Sequence, residues 1–105
     1  MIIEFDKEYL RELYYNGKSS DKKHRFQPQV VKRYVRVVDT IESLDRVEDL
    51  FRYNSLNYEV LSGDKAGIES VRVDDKYRLE FSSRRVGDET VITICKILDL
   101  TNHYR

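Results

Sequence analysis

At 105 residues, 40% of them hydrophobic and 36% charged with no net charge, the chain is sized for one domain with a modest core and a well-solvated surface. A single cysteine, Cys95, rules out an intrachain disulfide and makes a reducing cytoplasm the natural compartment. The opening M-I-I-E-F-D-K meets an acid at position 4 and reads as neither a signal peptide nor a membrane span, while His24, Cys95 and His103 have no zinc-ligand spacing, so no metal or cofactor is expected.

Ile2 to Phe5 read as a short strand. Asp6 is an N-cap choice for a helix from Lys7, with Leu10, Leu13 and Tyr14 on one face and Gly17 just past its end. N-G-K-S-S-D-K-K-H-R has no hydrophobic period and reads as a basic loop. Pro28 then stands where a first helical turn tolerates it. Val30, Val31, Tyr34, Val37, Val38 and Ile41 form one apolar stripe of a second helix, with Lys32, Arg33 and Arg36 off the stripe. Between Lys18 and Arg36 seven basic residues stand against Asp21 alone; from Val37 to Leu50 five acids stand against Arg46. Such a split suits a basic face for a polyanion or acidic partner, or simply two solvated helix faces. Asp45 and Glu48 have the spacing of a capping box for a short helix through Val47, Leu50 and Phe51.

After Asn54 the pattern turns to strands, Tyr58–Leu61, Ile68–Val73, Tyr77–Phe81 and Thr90–Leu98, separated by turns at Gly63, Gly67 and Gly87. The predicted architecture is α+β, with helices on one face of a mainly antiparallel sheet. In V-R-V-D-D-K-Y-R-L, a three-residue loop from Asp74 to Lys76 pairs Val73 with Tyr77, Arg72 with Arg78 and Val71 with Leu79. Only that odd register gathers the apolar residues on one face, and it sets Arg72 opposite Arg78 on the other. Like charges directly opposite are destabilising, so something must offset them. Either Glu80 or Glu59 supplies a carboxylate in a structural ion-pair network, or the arginines receive a phosphate.

The stretch Y-E-V-L-S-G-D-K-A-G-I-E-S-V-R-V-D-D-K-Y-R-L-E-F resembles toxins of the RelE/ParE superfamily, above all the HigB (host inhibition of growth) branch. The shared pattern is a leucine, G-D-x-x-G, S-[VI]-R-[VI]-[ND] and an aromatic-Arg-[ILV]-x-F strand. Tyr14 to Ser19, the Gln27-Pro28 pair and the closing D-L-T-N-H-Y extend the likeness over nearly the whole chain. The resemblance implies a RelE-like fold, two main N-terminal helices packed on one face of a curved sheet. It implies the toxin of a type II toxin-antitoxin system: a ribosome-dependent mRNA endonuclease that works without metal, through attack of the RNA's 2′-OH. An antitoxin, often a helix-turn-helix protein encoded next to the toxin, would be its partner, besides ribosome and mRNA.

On that resemblance Arg78 holds the scissile phosphate, with Arg72 assisting or structural. His103 transfers protons, since imidazole titrates near neutral pH, and Tyr104 stacks on a base or orients the imidazole. Lys65, in the glycine-bounded loop, is a phosphate contact. Lys22, Lys23, His24 and Arg25 are RNA or ribosome contacts, and Cys95 is a core thiol. The chain departs from the pattern at Glu59 and Ser62, where many HigB-branch toxins hold histidine and lysine. The rival expectations are a ParE-like toxin that inhibits DNA gyrase by binding, and an inactive partner retained for antitoxin-linked autoregulation.

Overall fold

The computed structural model describes Met1–Asn102; His103, Tyr104 and Arg105 lie outside the described residues. Strand β1 (Ile2–Phe5) leads to helix α1 (Glu8–Asn16), a short 3₁₀ turn at Lys22–His24 and helix α2 (Pro28–Ser43). Two further 3₁₀ turns, Val47–Arg52 and Asn54–Leu56, precede β2 (Glu59–Val60), β3 (Glu69–Arg72), β4 (Arg78–Val86) and β5 (Ile92–Thr101). The five strands form one sheet in the order β1-β5-β4-β3-β2, with β1 parallel to β5 and the other pairs antiparallel. The α+β expectation therefore holds. No helix among the described residues is long and apolar enough to cross a membrane.

The α2 stripe behaves as its period demands: Val30, Val31, Tyr34, Val37, Val38 and Ile41 are all buried. They meet Tyr9, Leu10 and Leu13 of α1 and Val71, Val73, Leu79, Phe81, Cys95, Ile97 and Leu100 of the sheet region in one core. The two helices are tied inside it by the Tyr34 hydroxyl, which donates to the Leu10 carbonyl at 2.8 Å. Gly17 closes α1 in the left-handed region at φ +78° and donates its N–H to the Leu13 carbonyl, as a helix C-terminus requires.

Both predicted caps differ from what forms. Asp6 is not the N-cap of α1: its N–H donates to the Ile97 carbonyl at 2.8 Å, so its backbone is still engaged with β5, and the helix begins one residue later behind an extended Lys7. Asp45 and Glu48 make no capping box. The segment winds as a 3₁₀ turn behind Arg46 with no side-chain cap, its Asp49 N–H reaching the Arg46 carbonyl.

The last two strands run past their expected ends, to Val86 and Thr101. Ser82 to Arg85 lack the apolar alternation of a strand, yet each pairs with β5. Their hydrogen-bonded partner, not their own propensity, holds them extended. Gly87 then turns the chain at φ +109°, where a Cβ would lie 2.1 Å from the Thr90 carbonyl oxygen. In β5 the buried positions run Thr93, Cys95, Ile97 and then Leu100, a break in the period-two rule. The break is a β-bulge: Glu80 pairs with Asp99, but Phe81 pairs with Ile97. One extra residue returns Leu100 to the core side opposite Leu79.

Cys95 is fully buried, and that burial pushes its thiol up to about 12. Alkylation of the native protein near neutral pH is therefore expected to be about 100-fold or more slower than in urea, where the thiol regains its ordinary acidity. Comparable rates by mass spectrometry would show that the core around β5 opens readily.

Candidate functional site

The β3–β4 hairpin adopts the odd register. Arg72 pairs with Arg78 and Val71 with Leu79, and the Val73 N–H reaches the Tyr77 carbonyl at 2.9 Å. The loop is held by Asp74, whose Oδ1 accepts from the backbone N–H of Lys76 and Tyr77 at 2.8 and 2.7 Å. Val71, Val73 and Leu79 enter the core, so the two arginines lie on the face turned away from the helices.

Carboxylates offset the like charges. Arg72 pairs with Asp75. Arg78 pairs with Glu59 at 3.1 Å, donates from Nε and Nη2 to the Ser70 hydroxyl at 3.1 and 2.9 Å, and donates from Nη2 to the Asn57 carbonyl at 2.8 Å. Lys65 Nζ meets Glu80 Oε2 at 2.6 Å on the same face, in the strand pleat next to Arg78. Ser70 is fully buried and Arg78 only 9% exposed, so the guanidinium is a fixed donor array rather than a mobile surface charge. Although Arg78 lies on the sheet face turned from the helices, it is buried there. Glu59, Arg72, Arg78 and the hairpin residues line a cleft of about 300 Å³.

The basic loop sits elsewhere. His24 stacks on Tyr9 of α1 with ring centroids 3.7 Å apart, and its Nδ1 lies 2.8 Å from Asp21 Oδ2. This imidazole pins the loop to the helix layer, a packing role that the bare residue pattern did not reveal. The contact also holds the Asp21 carboxyl below its usual range, assisted by the Lys23 N–H. Lys22, Lys23 and Arg25 remain exposed. The structure thus brings Arg72, Arg78 and Lys65 together and leaves Lys22, Lys23 and His24 on the helix side.

Two groups absent from the sequence-based site become visible here. Tyr9 donates its hydroxyl to Asp99 and accepts the Leu100 N–H at 3.0 Å, which anchors the β5 bulge. Burial, then the bond to Asp99, raises the Tyr9 phenol far above its ordinary value. Glu80 sits opposite Asp99 in the ladder, so two carboxylates flank the bulge. The broken alternation at Leu98-Asp99 was the one sequence trace of this arrangement. His103 and Tyr104 fall outside the described residues; the cross-strand partner of Arg78 is Thr101, two positions earlier.

This arrangement of two helices over a five-stranded sheet is the fold of the RelE-like toxins. The chain is similar to the YoeB/ParE toxin from Agrobacterium tumefaciens, at 17% identity over 99% of this chain and 100% of that one, with a TM-score of 0.56. It is also similar to a chain of the heterotetrameric YoeB-YefM toxin-antitoxin complex from Staphylococcus aureus, at 22% identity over 99% and 98% of the two chains, TM-score 0.55. Among curated proteins no relative matches. Residues 3–95 match the HigB-like toxin family, described as the RelE-like toxin of the type II toxin-antitoxin system HigB, and the chain belongs to that family. It is thus a RelE-like toxin of a type II toxin-antitoxin system, from a family of endoribonucleases.

Proposed function

We propose that this toxin cleaves mRNA on translating ribosomes by attack of the RNA's own 2′-OH, without metal, and so blocks translation. The observation that carries the reading is Arg78, a pre-set guanidinium beside the Glu59 carboxylate that lines a cleft with Arg72. In the reaction the 2′-oxygen forms a bond to phosphorus while the bond to the 5′-oxygen breaks. A base takes the 2′-OH proton, cations balance the charge gathering on the phosphorane, and an acid protonates the leaving oxygen. Arg78 fits the second task, with Lys65 and Arg72 beside it. His103 and the Glu59 carboxylate are the proton-transfer groups, and Tyr104 orients the imidazole or stacks on a base. An incoming phosphate exchanges with Glu59 as the anion at Arg78.

The partner protein in this reading is a helix-turn-helix antitoxin encoded next to the toxin, laying acidic or apolar side chains on this face. One observation favours an inactive or purely binding relative, of the kind that inhibits DNA gyrase: Arg72, Arg78 and Lys65 each already face a carboxylate. The test is purified toxin added to programmed ribosomes, with the RNA ends mapped. Cleavage leaving a 2′,3′-cyclic phosphate, and its loss when a 2′-deoxynucleotide stands at the cut, is the expected result. Intact mRNA, with gyrase supercoiling inhibited instead, would overturn the proposal.

A further inference from the structure

The ion pairs of the described residues divide the cations into two groups. Lys7, Arg11, Arg46, Arg52, Lys65, Arg72, Arg78 and Arg84 each face a carboxylate. The remaining described lysines and arginines form no ion pair with any described residue, and three of them, Arg25, Arg33 and Lys76, line one cleft of about 510 Å³ between the basic loop, the start of α2 and the β3–β4 hairpin. The carboxylates of that cleft are engaged elsewhere: Asp74 holds the hairpin's own N–H groups, and Asp75 pairs with Arg72. Its floor carries the half-buried rings of Phe26 and Tyr77, edge to face at 5.4 Å, with the Gln29 amide at the rim.

We infer that this cleft is a second RNA subsite, which takes a nucleotide of single-stranded RNA next to the one held at Arg78. The inference rests on the proposed role of the arginine face in RNA cleavage. Unpaired cations suit phosphates, an aromatic ring lining the cleft suits a base, and a side-chain amide suits a base edge. A simple acidic protein surface would use the cations and leave the rings and amide idle. Position supports the same occupant independently. The cleft shares Asp74, Asp75 and Lys76 with the cleft of Arg72 and Arg78, so one strand crossing the hairpin reaches both. On its far side, Gln29 and Arg33 also border a shallow surface bearing Lys32 and Arg36, which continues the positive path along α2.

The probe is a 2′-O-methyl RNA of about eight nucleotides carrying 2-aminopurine, long enough to span both clefts and unable to undergo 2′-OH attack. Binding to the isolated chain is followed by anisotropy across a salt series. Arg25→Gln and Arg33→Gln are each expected to weaken binding several-fold and to flatten the salt dependence by about 0.7 for each phosphate no longer neutralised, the single-strand value. Tyr77→Leu, checked by a thermal melt, is expected to alter 2-aminopurine fluorescence in the bound state. Arg46→Gln, whose side chain pairs with Asp49 on another surface, should leave affinity and slope unchanged. Wild-type affinity and slope in both arginine variants overturn the inference, as does a loss confined to antitoxin binding. Binding is read without cleavage. A toxin that binds the probe but cuts nothing therefore refutes the proposed reaction alone, and one that cuts normally with both variants unaffected refutes the second subsite alone.

Discussion

Arg78→Ala is expected to lower mRNA cleavage on programmed ribosomes about 10²–10³-fold, the usual cost of removing one pre-set donor from a developing oxyanion. The guanidinium fits the task because its direction is fixed on two sides, by the Ser70 hydroxyl and the Asn57 carbonyl. Stability should fall too. Ser70 is fully buried and loses its donor, and a buried group left unsatisfied costs about 1–3 kcal/mol. Glu59 is half exposed, so water absorbs much of the penalty of leaving it unpaired. Arg78→Lys separates the two effects: it keeps the charge but not the planar fork, and should fold better than the alanine variant while regaining only part of the activity. The measurements are cleavage rates at saturating toxin and urea melts of each variant. Undiminished cleavage by a folded Arg78→Ala would remove the arginine from the reaction.

His103→Ala is expected to cost about 10²–10⁴-fold in cleavage, the range for losing a general acid or base. The support is chain geometry. Thr101 is the cross-strand partner of Arg78, and two residues of chain span at most about 7 Å. Because imidazole changes charge near neutral pH, the wild-type rate should vary between about pH 5 and 8, and the variant's residual rate should be flat there. A histidine that only packs the tail would lower the rate without flattening the profile. Full activity in His103→Ala ends the catalytic assignment.

Local pattern alone settled much of this protein. The spacing of Val30 through Ile41 set the buried face of α2, because a helix that brings those side chains to one side must bury them there. The odd register of V-R-V-D-D-K-Y-R-L followed from the period-two rule, since the even alternative would have put arginine into the core. The spaced motifs from Leu61 to Phe81 carried the family. Contacts across the fold decided the rest. Asp6 stays tied to β5 and does not cap a helix because Ile97, far along the chain, accepts its N–H. Polar Ser82 to Arg85 extend because β5 lies beside them. The β5 bulge depends on Tyr9, 91 residues before the Leu100 N–H that its hydroxyl accepts. Register left open whether Arg72 and Arg78 would meet carboxylates or stand bare. Pairing fixes which face a side chain takes, whereas Asn57, Glu59 and Ser70 reach Arg78 only when separate segments of the chain close around it.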